Sequence, residues 1–95
     1  MPDLLLVEDA PNVAEFVRKG LEAEGHCVAV ADSGPAGFLL AREQDFDLLI
    51  LDVMLPGYSG QELCRRLRAG GNSTPIMMLT AVDEVSEKVE SLRGG

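Results

Sequence analysis

The chain has 95 residues, and sixteen Asp and Glu against eight Lys and Arg give it a formal net charge of -8 at pH 7. That length supports one domain, residues 1–95, with a core that is small for its surface. The acidity argues against nucleic acid and anionic membrane as partners through this chain, and no stretch reaches the roughly 18 apolar residues of a membrane span. The first residues lack the basic start and small-residue cleavage site of a secretion signal. Cys27 and Cys64 have neither metal nor redox spacing and read as reduced thiols rather than a disulfide, which fits a cytoplasmic protein. With His26 as the single histidine, a histidine-built metal site is not expected.

In chain order, Leu4-Leu5-Leu6-Val7 is an apolar run without strict alternation, as in a strand covered on both faces. Pro11 suits a first helical turn, and Asp9 is the candidate cap. Val13, Phe16, Val17 and Leu21 then recur at helical spacing until Glu24-Gly25. Gly20 lies inside that helix, marking a close helix–strand contact or nothing. Cys27 to Ala31 reads as a second strand, and Asp32 and Ser33 can cap a helix from Pro35 to Arg42, with Phe38, Leu39 and Ala41 as its apolar positions. Asp47 to Val53 is the clearest strand, with large aliphatics between two acids, as expected of a central parallel strand. Pro56 to Gly60 is a loop by composition, and Ser59 with Glu62 forms a capping box. Leu63, Cys64 and Leu67 line the helix that follows, Arg65, Arg66 and Arg68 make a solvated face, and Gly70-Gly71-Asn72 stops it. Pro75 to Leu79 is a fourth strand, and Val82, Val85, Val89 and Leu92 line a last helix. Alternating strands and helices with short connections predict an α/β fold with a parallel sheet.

Ligands of such sheets sit beyond the carboxyl ends of the strands. Glu8 and Asp9 follow the first strand, Asp52 ends the third, and Thr80 follows the fourth. Any one such acid is often only a turn or cap residue. Three converging carboxylates repel one another unless a cation neutralises them or one keeps its proton. Oxygen donors without neighbouring histidine or cysteine suit Mg²⁺, with Mn²⁺ also acceptable, better than zinc. A carboxylate beside such a metal can attack phosphorus, and Asp52, at the end of the most buried strand, is the candidate nucleophile. No lysine is well placed as a fixed positive charge, since Lys19 and Lys88 both fall on helices.

Leu5-Leu6-Val7-Glu8-Asp9, the run Asp47 to Gly57, Gly60, and the run Pro75 to Ala81 together resemble the receiver domains of bacterial two-component response regulators. The resemblance implies a flavodoxin-like doubly wound sheet in the order 2-1-3-4. It implies that Asp52 accepts a phosphoryl group from a sensor histidine kinase. It also implies that Asp9 binds Mg²⁺ directly and Glu8 through water, with Asp52 and the Met54 carbonyl completing the set. Thr80 would be the switch residue that meets a phosphoryl oxygen, and Ala81 its small neighbour. Such a domain is a regulatory phosphoacceptor rather than a conventional enzyme. Met54 and Val82 would border the route of hydrolytic water, and because both are apolar, slow autodephosphorylation is expected.

Against that pattern the chain is expected to be truncated before the family's fifth strand and its Lys-Pro pair, which would impair phosphotransfer and leave the fourth strand as an apolar edge. A homodimer, or another chain covering that edge, follows as an expectation. The alternative function is a pseudo-receiver that works by protein contact without phosphorylation. An aspartyl-phosphate hydrolase is disfavoured because Met54 stands two residues past Asp52 where that class carries a second acid. A nucleotide carrier is disfavoured because the turn after the first strand is acidic and lacks glycine.

Overall fold

Four aliphatic runs pair as parallel strands because each is apolar on both faces and helices are available to cover both. The computed structural model describes residues 3–79, which form β1 (Asp3–Val7), α1 (Pro11–Ala23), β2 (Cys27–Ala31), α2 (Gly34–Glu43), β3 (Leu48–Asp52), α3 (Gly60–Ala69) and β4 (Ile76–Leu79). Among the described residues the sheet order is β2-β1-β3-β4, with every neighbour parallel. This is the doubly wound arrangement expected from the sequence. The last helix of the sequence reading, Val82 to Leu92, lies outside the described residues. No helix among those described is long and apolar enough to cross a membrane.

Side chains alternate across the sheet and build a core on each face. Leu5, Val7, Leu49 and Leu51 point one way and pack with Ala41 of α2 and with Leu63 and Leu67 of α3. Leu6 and Ile50 point the other way and meet Ala14, Val17 and Leu21 of α1. Leu5, Leu6, Val7, Leu51 and Leu63 are wholly buried.

Several local expectations need correction. Asp9 does not cap α1; the cap position is Ala10, with no side-chain bond, and Pro11 opens the helix. The apolar stripe of α1 is only half used, because Phe16 is 80% exposed while Val17 and Leu21 pack inward. In α2 the buried face is made of Gly34, Gly37 and Ala41, while Leu39 is exposed. A Cβ on Gly37 would stand 2.7 Å from Cγ2 of Val7, so small residues let this helix approach the sheet closely. Gly20, by contrast, has open space around it. The capping box of α3 is half formed: Ser59 Oγ accepts from the Glu62 amide at 3.1 Å, but the Glu62 carboxylate turns to Arg65 and Arg66. Those two guanidiniums hold the Glu62 carboxyl down to about 2. His26 Nδ1 is buried and lacks a hydrogen-bond partner among the described residues. Cys27 is exposed, Cys64 is partly buried, and no disulfide forms among the described residues.

Candidate functional site

The register of the sheet decides where the acids meet. Val7 pairs with Leu51, so the residues that follow them, Glu8 and Asp52, emerge side by side at the same rim. The Glu8 amide donates to the Ala31 carbonyl at 2.9 Å, which carries the β1–β2 ladder one step further and holds the Glu8 backbone flat. Asp52 is itself in register with Leu79, and the Val53 amide reaches the Leu79 carbonyl at 3.2 Å. The Asp52 main chain is pressed from the other side by Gly60, whose missing Cβ would stand 2.1 Å from the Asp52 carbonyl oxygen. Gly60 also donates its amide to the Val53 carbonyl at 2.9 Å. Only glycine permits this approach of α3 to the end of β3.

Carboxylate oxygens of Glu8, Asp9 and Asp52 all lie within 4.8 Å of one another. Glu8 and Asp52 are each only 3% exposed, whereas Asp9 faces solvent. Glu8 Oε2 accepts from the Ala10 amide at 2.9 Å, and Asp52 Oδ1 accepts a long bond, 3.4 Å, from the Met54 amide. Burial, reinforced by Asp52 and Asp9, pushes the Glu8 carboxyl up to about 7 against the opposing pull of the Ala10 amide. Among the described residues the ion pairs join Arg18 and Lys19 to α1 glutamates and Arg65 and Arg66 to Glu62, so none reaches this rim. A recess of about 280 Å³ opens beside it, lined by Asp9, Val53, Met54, Leu55 and Ser59.

Two buried carboxylates and an exposed third, with one amide donor each on Glu8 and Asp52 and no ion pair to a cation among the described residues, form a site short of positive charge. Its donors are all oxygen, the hard set that suits Mg²⁺ or Mn²⁺, and no sulfur or imidazole joins them. The residues present therefore fit a small divalent cation. The three acids singled out in the sequence are brought together, and Met54, 64% exposed, stands at the mouth of the recess. Thr80, Ala81 and Val82 lie outside the described residues.

Two contacts made by the arginines of α3 were missed by the sequence analysis. Tyr58 lies in the loop before α3, and Arg65, Arg66 and Arg68 are exposed, as expected. In addition the Arg66 guanidinium lies 4.2 Å from the centroid of the Tyr58 ring, and Arg68 Nη1 donates to the carbonyls of Asn72 and Thr74. The Tyr58–Arg66 contact depends on how the loop is set against α3, which no local pattern announces.

The chain is similar to several known proteins. It is 41% identical to the transcriptional regulatory protein CusR of Escherichia coli over 92 residues, which are 97% of this chain and 40% of that protein. It is 45% identical to the transcriptional regulatory protein AfsQ1 of Streptomyces coelicolor over 95 residues, all of this chain and 42% of that protein. The chain thus spans about two fifths of the length of these relatives. Among solved structures, the response regulator protein TrrA of Thermotoga maritima in complex with Mg²⁺-BeF superposes with a TM-score of 0.82 at 29% identity, covering 97% of this chain and 99% of that one. TrrA in complex with the histidine kinase ThkA superposes with a TM-score of 0.80, also at 29% identity, over 97% of this chain and 98% of that one. A family model described as the response regulator receiver domain matches residues 4–95, and on that match and these identities the chain belongs to the response regulator receiver domains.

Proposed function

We propose that this chain accepts a phosphoryl group on Asp52, from a histidine kinase and with a divalent metal held by Glu8, Asp9 and Asp52. Receiver domains are phosphoacceptor signalling modules of two-component systems, not conventional enzymes, and they hold Mg²⁺ in an acidic pocket. The observation that carries the reading is the set of three carboxylates within 4.8 Å at the ends of β1 and β3. Asp9 and Asp52 would hold the metal directly, Glu8 would hold it through water, and the Met54 carbonyl would complete the set. When bound, Mg²⁺ neutralises the acids and draws in phosphoryl oxygens.

The residues of the chain do the rest. The Asp52 main chain is held by β3 beneath and Gly60 beside it, and its buried side chain is presented at the rim with Oδ1 accepting from the Met54 amide. An oxygen of Asp52 forms the new P–O bond as the P–N bond to the kinase histidine breaks and the electron pair returns to the imidazole. Thr80 is assigned the contact to a phosphoryl oxygen, and Ala81 leaves room for it. Met54 and Val82 offer no hydrogen bond to an attacking water, so the phosphorylated form is long-lived. The kinase partner is supported by TrrA, which was solved with the histidine kinase ThkA. A second copy of the chain, or another chain, is assigned to apolar β4, an edge of the sheet among the described residues, where Met77 and Met78 are exposed, and sedimentation at rising protein concentration tests it.

The deciding experiment incubates the protein with a small phosphodonor such as acetyl phosphate, with and without Mg²⁺, and weighs it by mass spectrometry. One phosphoryl group is expected on the wild type with Mg²⁺ and none on Asp52→Asn. A folded wild type that binds Mg²⁺ and takes no phosphoryl group fits a pseudo-receiver and ends the phosphoacceptor reading.

A further inference from the structure

The loop between β3 and α3 carries Met54 and is fastened to α2, a helix that contributes no acid to the rim. Its base is closed by the Val53–Leu79 and Gly60–Val53 bonds. Its tip is held differently. The Gly34 amide, in the first turn of α2, donates to the Pro56 carbonyl at 3.0 Å. A Cβ on Gly34 would stand 2.7 Å from both Cδ1 and the carbonyl oxygen of Tyr58. Gly57 has φ +87°, and its Cβ would stand 2.5 Å from Cδ of Pro35. The Tyr58 ring, laid against Gly34, meets the Arg66 guanidinium at 4.2 Å, and Arg66 is itself held by Glu62, with Nε 2.9 Å from Oε2.

We infer that this clasp, made by Gly34 and Pro35 of α2, Gly57 and Tyr58 of the loop and Arg66 of α3, positions Met54 for the metal, with Tyr58 and Arg66 as its positioning residues. The inference rests on the metal-holding reading of the rim. A loop that is already ordered loses less freedom when its Met54 carbonyl and amide are put to use, so ligand is bound more tightly. An unfastened tip moves Met54, because only three residues separate it from Tyr58. The glycines at 34 and 57 are required by contact and by backbone conformation, and the cation over the ring closes the clasp from α3.

The test is calorimetric titration of Mg²⁺ into the whole chain, with thermal melts to check that each variant folds. Arg66→Gln is expected to weaken Mg²⁺ binding by about two- to fivefold, the equivalent of an exposed cation–π contact. Arg66→Lys, which keeps a cation over the ring, recovers part of the loss. Arg65→Gln removes the same charge and another Glu62 bond but leaves Tyr58 covered, and it leaves the affinity unchanged. Tyr58→Ala weakens binding at least as much as Arg66→Gln. If Tyr58→Ala does not fold, the half-exposed Arg66 position still decides the matter. The inference is overturned if Arg66→Gln binds as the wild type does, or if Arg65→Gln is weakened equally. A folded wild type that gives no Mg²⁺ response overturns the metal reading itself, and the inference with it.

Discussion

Replacing Glu8 by Gln is expected to stabilise the metal-free protein at neutral pH while weakening its hold on Mg²⁺. Glu8 is 3% exposed, and burial lifts its carboxyl from 4.5 to about 7. The folded state therefore keeps its proton to higher pH than the unfolded chain does. That contribution to stability is fully present below pH 4.5 and is lost as pH rises through 7. At about 1.4 kcal/mol per pH unit, ionising Glu8 inside the fold costs about 3 kcal/mol, and water at the exposed Asp9 side reduces this to about 2 kcal/mol. A neutral amide at this position avoids that penalty and still accepts from the Ala10 amide. The assay is urea unfolding in chelator, followed by circular dichroism, for both proteins across pH 4.5 to above 7. The two should be equally stable at the acid end, with a gap opening in favour of Glu8→Gln as pH rises. Saturating Mg²⁺ should then reverse the order, because binding to the native state stabilises the protein that offers all three carboxylates. A gap that stays flat with pH, or that favours the wild type in chelator, would refute the reasoning.

Asp52→Asn should also stabilise the metal-free protein near neutral pH, since it removes a charge that raises the Glu8 carboxyl, and it should abolish phosphorylation, as mass spectrometry will show. Gly60→Ala must displace either α3 or the Asp52 carbonyl, because its Cβ would stand 2.1 Å from that oxygen, and a loss of about 2–3 kcal/mol in urea unfolding is expected together with weaker Mg²⁺ binding. Leu63→Ala empties a wholly buried position beneath the sheet and should destabilise by about 2–5 kcal/mol in the same assay. Met54→Gln places an amide at the mouth of the recess, and the half-life of the phosphorylated form, followed by loss of label, should shorten severalfold.

The sequence by itself determined the strands, the alternation of strand and helix, and the acids that follow β1 and β3. The reason is local: a short aliphatic run bounded by polar and turn residues, too short for a buried helix, suits a strand covered on both faces. It also placed Ser59 as the cap of α3, since a hydroxyl before the first turn satisfies an amide wherever that helix lies. It did not determine that Val7 and Leu51 share a register, and on that pairing the 4.8 Å grouping of Glu8, Asp9 and Asp52 depends. Nor did it show that Asp9 is released from capping α1, that Phe16 stays exposed, or that Gly34 and Gly37 join Ala41 on the buried face of α2. Glycine leaves no apolar signal, and the use of a hydrophobic stripe depends on what the fold sets against it. The raised carboxyl of Glu8 belongs wholly to tertiary structure, because its desolvation and the Asp52 charge come from segments that the chain alone leaves far apart, and the Tyr58–Arg66 contact depends on how the loop is set against α3.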